Sequence, residues 1–556
     1  MLQSMIANAL VSVVLQSIET RYGLSSTQTG FVAASYEIAS TLTMILIISK
    51  LKSFSPMKCI SMGAVIISIG CLVFCVPQVL SDNYDPNDNS KKGLNDNIWL
   101  WFVMGMMVVG VGAIPASVFS YTYFDENVER KKAPIYHGIF AIGAFFGPFI
   151  GFIFGGYILK TPVDYYSREN SSYQIGLETD DPSFVGAWWL PFVISSASLL
   201  VVSVFVWPFP RTLKNSWKST NGIKLQENGE NTTNENNSSK KQNLSMQNMS
   251  LYKKILTKNS TFNYTNMAFI CDAFVVQALI AFTIKLHITL FDKSPAEAGV
   301  GIALICTAGM IGQVIGAVGL SKLDSSIGTI LKYAVISPVV GAVLSFGFMF
   351  GCHTKQFIGS PESTDDIFEY FGNTDNFGVF EIPAGYNSTC LIESSCESDV
   401  CNVVNYSPVC DTSSNVHYFH ECFTECLNST HKAQFLVSGE CELSKSCPNS
   451  KSQYNLFLIF ICLMFFFKAL TATPVINVLM RCVDFNERND ALALSSTLVR
   501  FFGSIPGPII VGKLIDTVCI LWSENELCEK QNCVSYSAFK KNSSGSEIWS
   551  FLRLFE

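Results

Sequence analysis

Long apolar runs alternate with short polar gaps along the 556 residues. The runs lie near 2–19, 28–49, 58–79, 98–121, 133–158, 184–207, 263–290, 299–320, 328–351, 454–480 and 490–513. Most match the ~20 residues an α-helix needs to cross a bilayer's hydrocarbon core, so eleven spanning helices are expected. The first run is short and carries Gln3, Asn8 and Gln16. After 513 no further long apolar run follows, and the closing IWSFLRLFE is too short to span. Two polar stretches divide the series. Residues 1–210 form a six-helix half, and 211–260 a cytosolic linker rich in Asn and Ser that has too little apolar surface to fold alone. Residues 261–352 open a second helical half, 353–453 form a Cys-rich loop, and 454–556 complete the half.

Composition agrees with the pattern. Only 15% of residues are charged, against about 25% in soluble domains, and the mean hydropathy is +0.32. The fold class is an all-α polytopic membrane protein. The net charge of −7 resides mostly in loops and points to no nucleic-acid partner; the lipid bilayer is the partner. Lys and Arg collect in every second gap: Lys50, Lys52 and Lys58; Arg130, Lys131 and Lys132; Arg211 through Lys254; Arg481 and Arg488. Such loops stay cytosolic, which sets the N-terminus in the cytosol.

The loop at 353–453 then lies outside. It holds eight cysteines, Cys390, Cys396, Cys401, Cys410, Cys422, Cys426, Cys441 and Cys447. An even number in an oxidising compartment reads as a disulfide framework of open connectivity, with zinc held alongside His417, His420 and His431 as the rival. Cys519, Cys528 and Cys533 make a smaller outside cluster. Asn170, Asn387, Asn428 and Asn542 head Asn-x-Ser/Thr triplets in outside loops and are the glycosylation candidates.

Trp188 and Trp189 stand side by side in DDPSFVGAWWLPF, between an acidic stretch and an apolar run. Indoles favour the membrane–water interface, which predicts that both anchor the entry of the sixth span. The same stretch resembles the signature of the organic anion transporting polypeptides, the SLCO solute carriers of the major facilitator superfamily. Asp181, Gly186, Ala187, Trp188 and Trp189 carry it, with Pro191 where the family has Gly. LSSTQTGFVAASYEIAS, GVGAIPASVFSYTYFDENV, GPFIGFIFGG and VRFFGSIPGPIIVGKLIDTVCILW resemble the family's second, fourth, fifth and eleventh spans in order. The cysteine loop resembles its Kazal-type module. The family plan has twelve spans in two lobes, of which about eleven are read here.

Ionisable residues inside spans are the candidate chemistry, because a charge in hydrocarbon costs ~3 kcal/mol or more unless it faces a cavity or a partner. Arg500 sits in the middle of the eleventh span, where a guanidinium can hold a carboxylate or sulfate through two N–H groups; an ion pair with Glu37 of the second span is the alternative. Lys285, near the outer end of the seventh span, matches a family lysine linked to substrate binding, with snorkelling as the alternative. Lys468 lies near the middle of the tenth span and matches no family motif. His137 reads as a packed polar group. Gln78 stands where many family members carry a histidine tied to pH sensitivity and bicarbonate binding, so weak stimulation by acid is expected. Gly503, Pro506, Gly507 and Pro508 predict a bent eleventh span.

The resemblance implies sodium-independent, plasma-membrane uptake or exchange of amphipathic organic anions, such as steroid conjugates, bile salts, thyroid hormones and eicosanoids, with bicarbonate as counter-anion. No cofactor, metal or enzymatic activity is expected, and no nucleotide-binding GxxxxGK[ST] loop occurs. The rival readings are a non-transporting surface protein and a protease inhibitor displayed by the Kazal-like loop.

Overall fold

The computed structural model describes residues 1–46, 55–84, 97–127, 133–165, 184–210, 255–257, 259–291, 293–322, 327–345, 357–358, 409–411, 416–418, 443–444, 450–483, 488–517, 519–524, 530–536, 539–541 and 547–549. A helix is described within each of the expected spans. α1 covers Leu2–Tyr22, with a π-helical turn at Ile6–Leu10. It is followed by α2 (Ser26–Leu46), α3 (Pro56–Leu80), α4 (Trp99–Asn127), α5 (Ala133–Ile158), α6 (Leu190–Val206), α7 (Ser260–Phe291), α8 (Pro295–Lys322), α9 (Ile327–Leu344) and α10 (Ser450–Arg481). α11 runs as Arg488–Val499, a π-helical turn Arg500–Ser504, and Pro506–Thr517. Seven of the helices are long and apolar enough to cross a membrane by length and composition. α2 falls short because it carries Ser35, Ser40, Thr41 and Thr43, all buried, and its Ser and Thr hydroxyls turn back onto its own carbonyls.

Local chemistry sets the ends. Gly23 takes the left-handed conformation (φ 65°) and closes α1, a role glycine fills without a Cβ clash. Ser25 and Gln28 then cap each other's backbone N–H groups at the start of α2, the reciprocal box of helix N-termini. Asn259 caps α7 through the N–H of Phe262. Pro56 and Pro191 occupy the first turns of α3 and α6, where a missing N–H costs nothing.

Packing in the first half follows a seven-residue repeat of small side chains on α3. On one face Gly63 and Gly70 lie against the carbonyls of Gly112 and Gly105 of α4, at 2.7 and 2.9 Å from where a Cβ would stand. On another, the Ser61 and Ser68 hydroxyls pair with Ser203 and Ser196 of α6, each at 2.7 Å. Without water to expel, helices in lipid associate by such close approach and interhelical hydrogen bonds.

The two halves meet along three seams: α1 with α7, α2 with α11, and α5 with α8. At Gly30 of α2 and Gly512 of α11 a Cβ would strike the carbonyls of Pro508 and Ser26. At Gly156 and Gly299 it would strike those of Pro295 and Phe152. The approaches at Gly30 and Gly512 lie near the 23–25 turn, whereas those at Gly156 and Gly299 stand at the level of Met5 to Val13 of α1.

The tryptophan expectation divides. Trp188 is wholly buried, edge-on to Tyr22, Phe74 and Phe102 at 5.4–6.2 Å, so it is a core residue of the first half rather than an interfacial anchor. Trp189 is half-buried: its indole N–H donates to the Val163 carbonyl at 3.1 Å and its ring stacks on Tyr165. Gly186 bridges to Pro162, and its Cβ would meet the Leu159 carbonyl, so this signature glycine admits the backbone of the chain leaving α5.

Of the Cys-rich loop, four short strands are described: β1 (Phe357–Ile358), β2 (Val409–Asp411), β3 (Val416–Tyr418) and β4 (Leu443–Ser444), in sheet order β1-β3-β2-β4. Cys410 lies in β2 opposite His417 and Ser444. Cys390, Cys396, Cys401, Cys422, Cys426, Cys441 and Cys447 lie outside the described residues, as do Asp181, the linker to 254, and Asn170, Asn387, Asn428 and Asn542. After α11, β5 (Cys519–Glu524) pairs with β6 (Lys530–Tyr536), tied by a Cys519–Cys533 disulfide. β7 (Phe539–Lys541) pairs with β8 (Glu547–Trp549).

Replacing Trp188 by Ala is expected to destabilise the fold by about 3–5 kcal/mol, the cost of deleting a large buried ring. Trp189→Phe should cost about 1 kcal/mol, one net hydrogen bond. Unfolding followed in detergent micelles separates the two; equal losses would contradict the placement.

Candidate functional site

α11 carries Arg500 to the boundary between the halves. The π-helical turn that begins at Arg500 sets the Ile505 N–H on the Arg500 carbonyl at 2.9 Å. The extra residue rotates the helix just before Pro506, and such turns are frequent at functional positions. Gly503 and Gly507 let this stretch rest on the backbone of α7 at Ile270 and Phe274.

Across the boundary, Arg500 Nη1 donates to Glu37 Oε2 at 3.0 Å and to Ser40 Oγ at 2.6 Å, both on α2. The other Glu37 oxygen accepts from Gln277 Nε2 of α7 at 3.0 Å. Four residues from three helices thus converge, two from each half. The guanidinium is the open member: the Arg500 side chain is 28% exposed and that of Glu37 11%. Among the described residues Nη2 and Nε of Arg500 donate to no partner, so one edge of the fork is available to an anion. The Tyr36 hydroxyl beside this cluster accepts from Gln3 Nε2 at 2.7 Å, which gives one of the polar groups of α1 its reason.

A second charged cluster closes the end of the bundle near the 23–25 turn. Lys285 Nζ of α7 donates to Glu19 Oε2 of α1 at 2.5 Å and to Ser26 Oγ of α2 at 2.7 Å. Thr29 donates to the other Glu19 oxygen at 2.6 Å. One turn along, the Asp516 carboxylate of α11 accepts the backbone N–H groups of Ser26 and Thr27 at 2.9 and 2.8 Å and the Thr27 hydroxyl at 2.6 Å. Asp516 therefore caps the N-terminus of α2 from the opposite half, where exposed N–H groups and the helix dipole favour a negative charge. The Lys285 and Glu19 side chains are 10% and 5% exposed, so the lysine does not snorkel; its ammonium is held between the halves.

Gln78 stands elsewhere. Its Nε2 donates to Asp164 Oδ1 at 2.8 Å, while Asp164 Oδ2 accepts the Tyr84 N–H at 2.7 Å and faces Arg21 Nη1 at 3.5 Å. Arg21 also reaches the Asp82 carbonyl at 2.9 Å. This knot fastens the ends of α1 and α3 to the chain after α5, within the first half.

Of the residues singled out from the sequence, Arg500 and Glu37 are brought into contact, Lys285 joins the same boundary nearer the turn, and Gln78 is set apart. Sequence reading missed Glu19, Ser40, Gln277 and Asp516. Glu19 and Arg21, in ETRY, read as the end of an apolar run, whereas α1 continues past both. Asp516, in GKLIDT, follows the span by the same logic. For Glu19 and Asp516 the signal was present, since each is a charge at the end of a long apolar segment, whereas Ser40 and Gln277 are neutral residues inside their helices. Among the described residues no group of His, Cys, Asp and Glu could hold a metal ion. His137 lies on α5.

Lys285→Ala would leave Glu19 buried without its cation, and loss of one member of a buried pair costs about 3–5 kcal/mol. Lys285→Met with Glu19→Gln should recover most of that loss. A double-mutant cycle on unfolding in detergent tests the coupling; additive single losses would refute it.

Comparisons with known proteins follow the geometry. Residues 1–540 match the Organic Anion Transporter Polypeptide (OATP) family. The mouse (Mus musculus) solute carrier organic anion transporter family member 4C1 is 27% identical over 581 residues, covering 97% of this chain and 76% of the relative. The human (Homo sapiens) member 4C1 is 25% identical, with 97% and 75% covered, and the mouse member 4A1 is 25% identical, with 94% and 74% covered. Among solved structures, a bacterial homologue of the human lysosomal transporter Spinster superposes with a TM-score of 0.52 at 14% identity, covering 93% of this chain and 80% of that one. A D-xylose–proton symporter gives 0.53 at 12% identity, with 92% and 87% covered. These likenesses establish the major facilitator fold, and the relatives are transporters rather than enzymes. The chain is an integral multi-pass membrane transporter and belongs to the Organic Anion Transporter Polypeptide family.

Proposed function

We propose that this chain carries amphipathic organic anions across the plasma membrane by alternating access, without sodium, with all eleven helices spanning and the N-terminus cytosolic. The observation that carries the reading is the Arg500–Glu37 contact, which joins α11 to α2 across the two halves while an edge of the guanidinium stays open. An arriving sulfate or carboxylate can take that edge bidentately. It then competes with Glu37 for the same cation, and so weakens a bond between the halves at the moment of binding. Steroid conjugates, bile salts, thyroid hormones and eicosanoids fit the requirement of one anionic group on an apolar body. The relatives, solute carrier organic anion transporter family members, support the organic-anion class. A small counter-anion such as bicarbonate would return through the same cationic position.

In the proposed orientation the 23–25 turn faces outside. The Glu19–Lys285 pair, the Asp516 cap and the glycine contacts at Gly30 and Gly512 then form the outer gate in its closed state, and the cleft opens to the cytosol. Lys285 acts within that gate, alternating between Glu19 and substrate as the halves rock. Residues 353–453 are read as an extracellular Kazal-like module stapled by its eight cysteines and glycosylated at Asn387 and Asn428, with Asn170 and Asn542 as further sites. Gln78 holds Asp164 and thereby the outer ends of α1 and α3; it cannot titrate where a histidine would.

Uptake of labelled oestrone sulfate and taurocholate by cells expressing the chain tests the reading. Arg500→Ala should lower uptake at equal surface amount about tenfold to a hundredfold, the worth of one or two hydrogen bonds to a charged group. Retained uptake removes Arg500 from the mechanism.

Lowering the outside pH to about 5.5, below the usual histidine pKa, should change uptake by the unmodified chain by less than about twofold. A steep acid stimulation that persists in Gln78→His would count against the assignment of Gln78.

A further inference from the structure

α7 and α10 form an apolar seam. Leu286 and Leu279 of α7 pack with Tyr454, Phe457 and Ile461 of α10. Residues seven apart share a helix face, so the position after Leu279 on this seam is Asp272, and the one after Ile461 is Lys468. The seam pattern places two charges where it otherwise places hydrocarbon. They find each other: Lys468 Nζ lies 3.3 Å from Asp272 Oδ1. The Phe465 ring lies 5.9 Å from the same ammonium.

An ion pair set there adds little cohesion, because the attraction between solvent-accessible charges is weakened by water and salt. The pair is also open: the Lys468 side chain is 29% exposed and that of Asp272 49%. Charged side chains at membrane depth face a water-filled cavity or the bundle interior rather than lipid. The depth is defined. Ile270 and Phe274, flanking Asp272, touch Gly503 and Gly507 of α11. Asp272 therefore stands level with the turn that begins at Arg500. About one and a half turns along α7, Gln277 holds Glu37, the partner of Arg500. α7 thus carries, about one and a half turns apart and on two flanks, a carboxylate paired with Lys468 and an amide bound to the carboxylate paired with Arg500.

We propose that Lys468 is a second anion-binding group of the cleft, with Asp272 as its resident counter-ion, and that it receives the second anionic group of a dianionic amphiphile. The incoming carboxylate or sulfate replaces Asp272 on the ammonium, as the first anionic group replaces Glu37 on Arg500, and Phe465 supports the apolar body beside it. This rests on the reading of the chain as an organic-anion carrier and adds to it a preference for substrates with two separated negative charges.

The test compares oestrone sulfate, a monoanion, with oestradiol 3-sulfate 17-glucuronide, a dianion, in cells expressing the full chain at matched surface amounts. Lys468→Ala should lower the ratio of dianion to monoanion uptake about tenfold, the effect of one charge-assisted contact. Lys468→Arg should preserve the ratio, and Asp272→Asn should lower the KM for the dianion by removing its competitor. Arg500→Ala should lower uptake of both probes. A ratio unchanged in Lys468→Ala and Asp272→Asn, with uptake by the unmodified chain intact, overturns the second subsite and leaves the carrier reading standing. An unmodified chain that takes up neither probe overturns both. Chloride or bicarbonate that competes with the monoanion through Lys468, in place of any effect on the dianion, would assign the group to a small counter-anion and likewise overturn the proposal.

Discussion

A charge within the hydrocarbon layer must find a partner or water, and this chain meets that constraint chiefly across its middle. Arg500 bonds Glu37, Lys285 bonds Glu19, and Asp516 caps the first turn of α2. In each case one member belongs to the first half and the other to the second. The groups that are hardest to place in a membrane are therefore the ones that hold the halves in register.

The apolar packing serves the opposite purpose. Within the first half, the Gly63/Gly70 and Ser61/Ser68 repeats lock α3 to α4 and α6, and Trp188 fills the aromatic core. These contacts bind the helices of the first half closely to one another. Between the halves, the glycine approaches at Gly30 and Gly512 allow backbone to meet backbone, while no aromatic cluster of comparable size bridges α2 and α11 among the described residues. The halves also share apolar contacts, since Ile284, Ala298 and Ile302 of the second half join the buried core of the first.

The bundle of helices was legible in the sequence because the signal is local. A run of apolar residues has to become a helix in lipid, where each backbone group needs an internal partner, and the eleven runs recur as eleven helices. The lone arginine in the eleventh run and the glutamate in the second were legible as charges out of place, and their pairing was already one of two readings. The ends were less clear. Polar ends such as ETRY and LIDT read as stops, whereas their charges face protein and the helices run on. Trp188 was misjudged for a related reason: an indole at a polar-to-apolar boundary has the same sequence pattern whether it meets lipid headgroups or a pocket lined by Tyr22, Phe74 and Phe102.

The sequence by itself determined which segments are apolar enough to form long helices, and that certain charges would need partners. It could not determine the partners. Arg500 and Glu37 are separated by 463 positions, and Asp516 and Thr27 by 489. Side-chain periodicity reports a helix's face, not what another helix brings to that face. Only the packing of α1, α2, α7 and α11 decided that the cation of one half would meet the anion of the other. The same packing left Arg500 with an open edge while it enclosed Lys285.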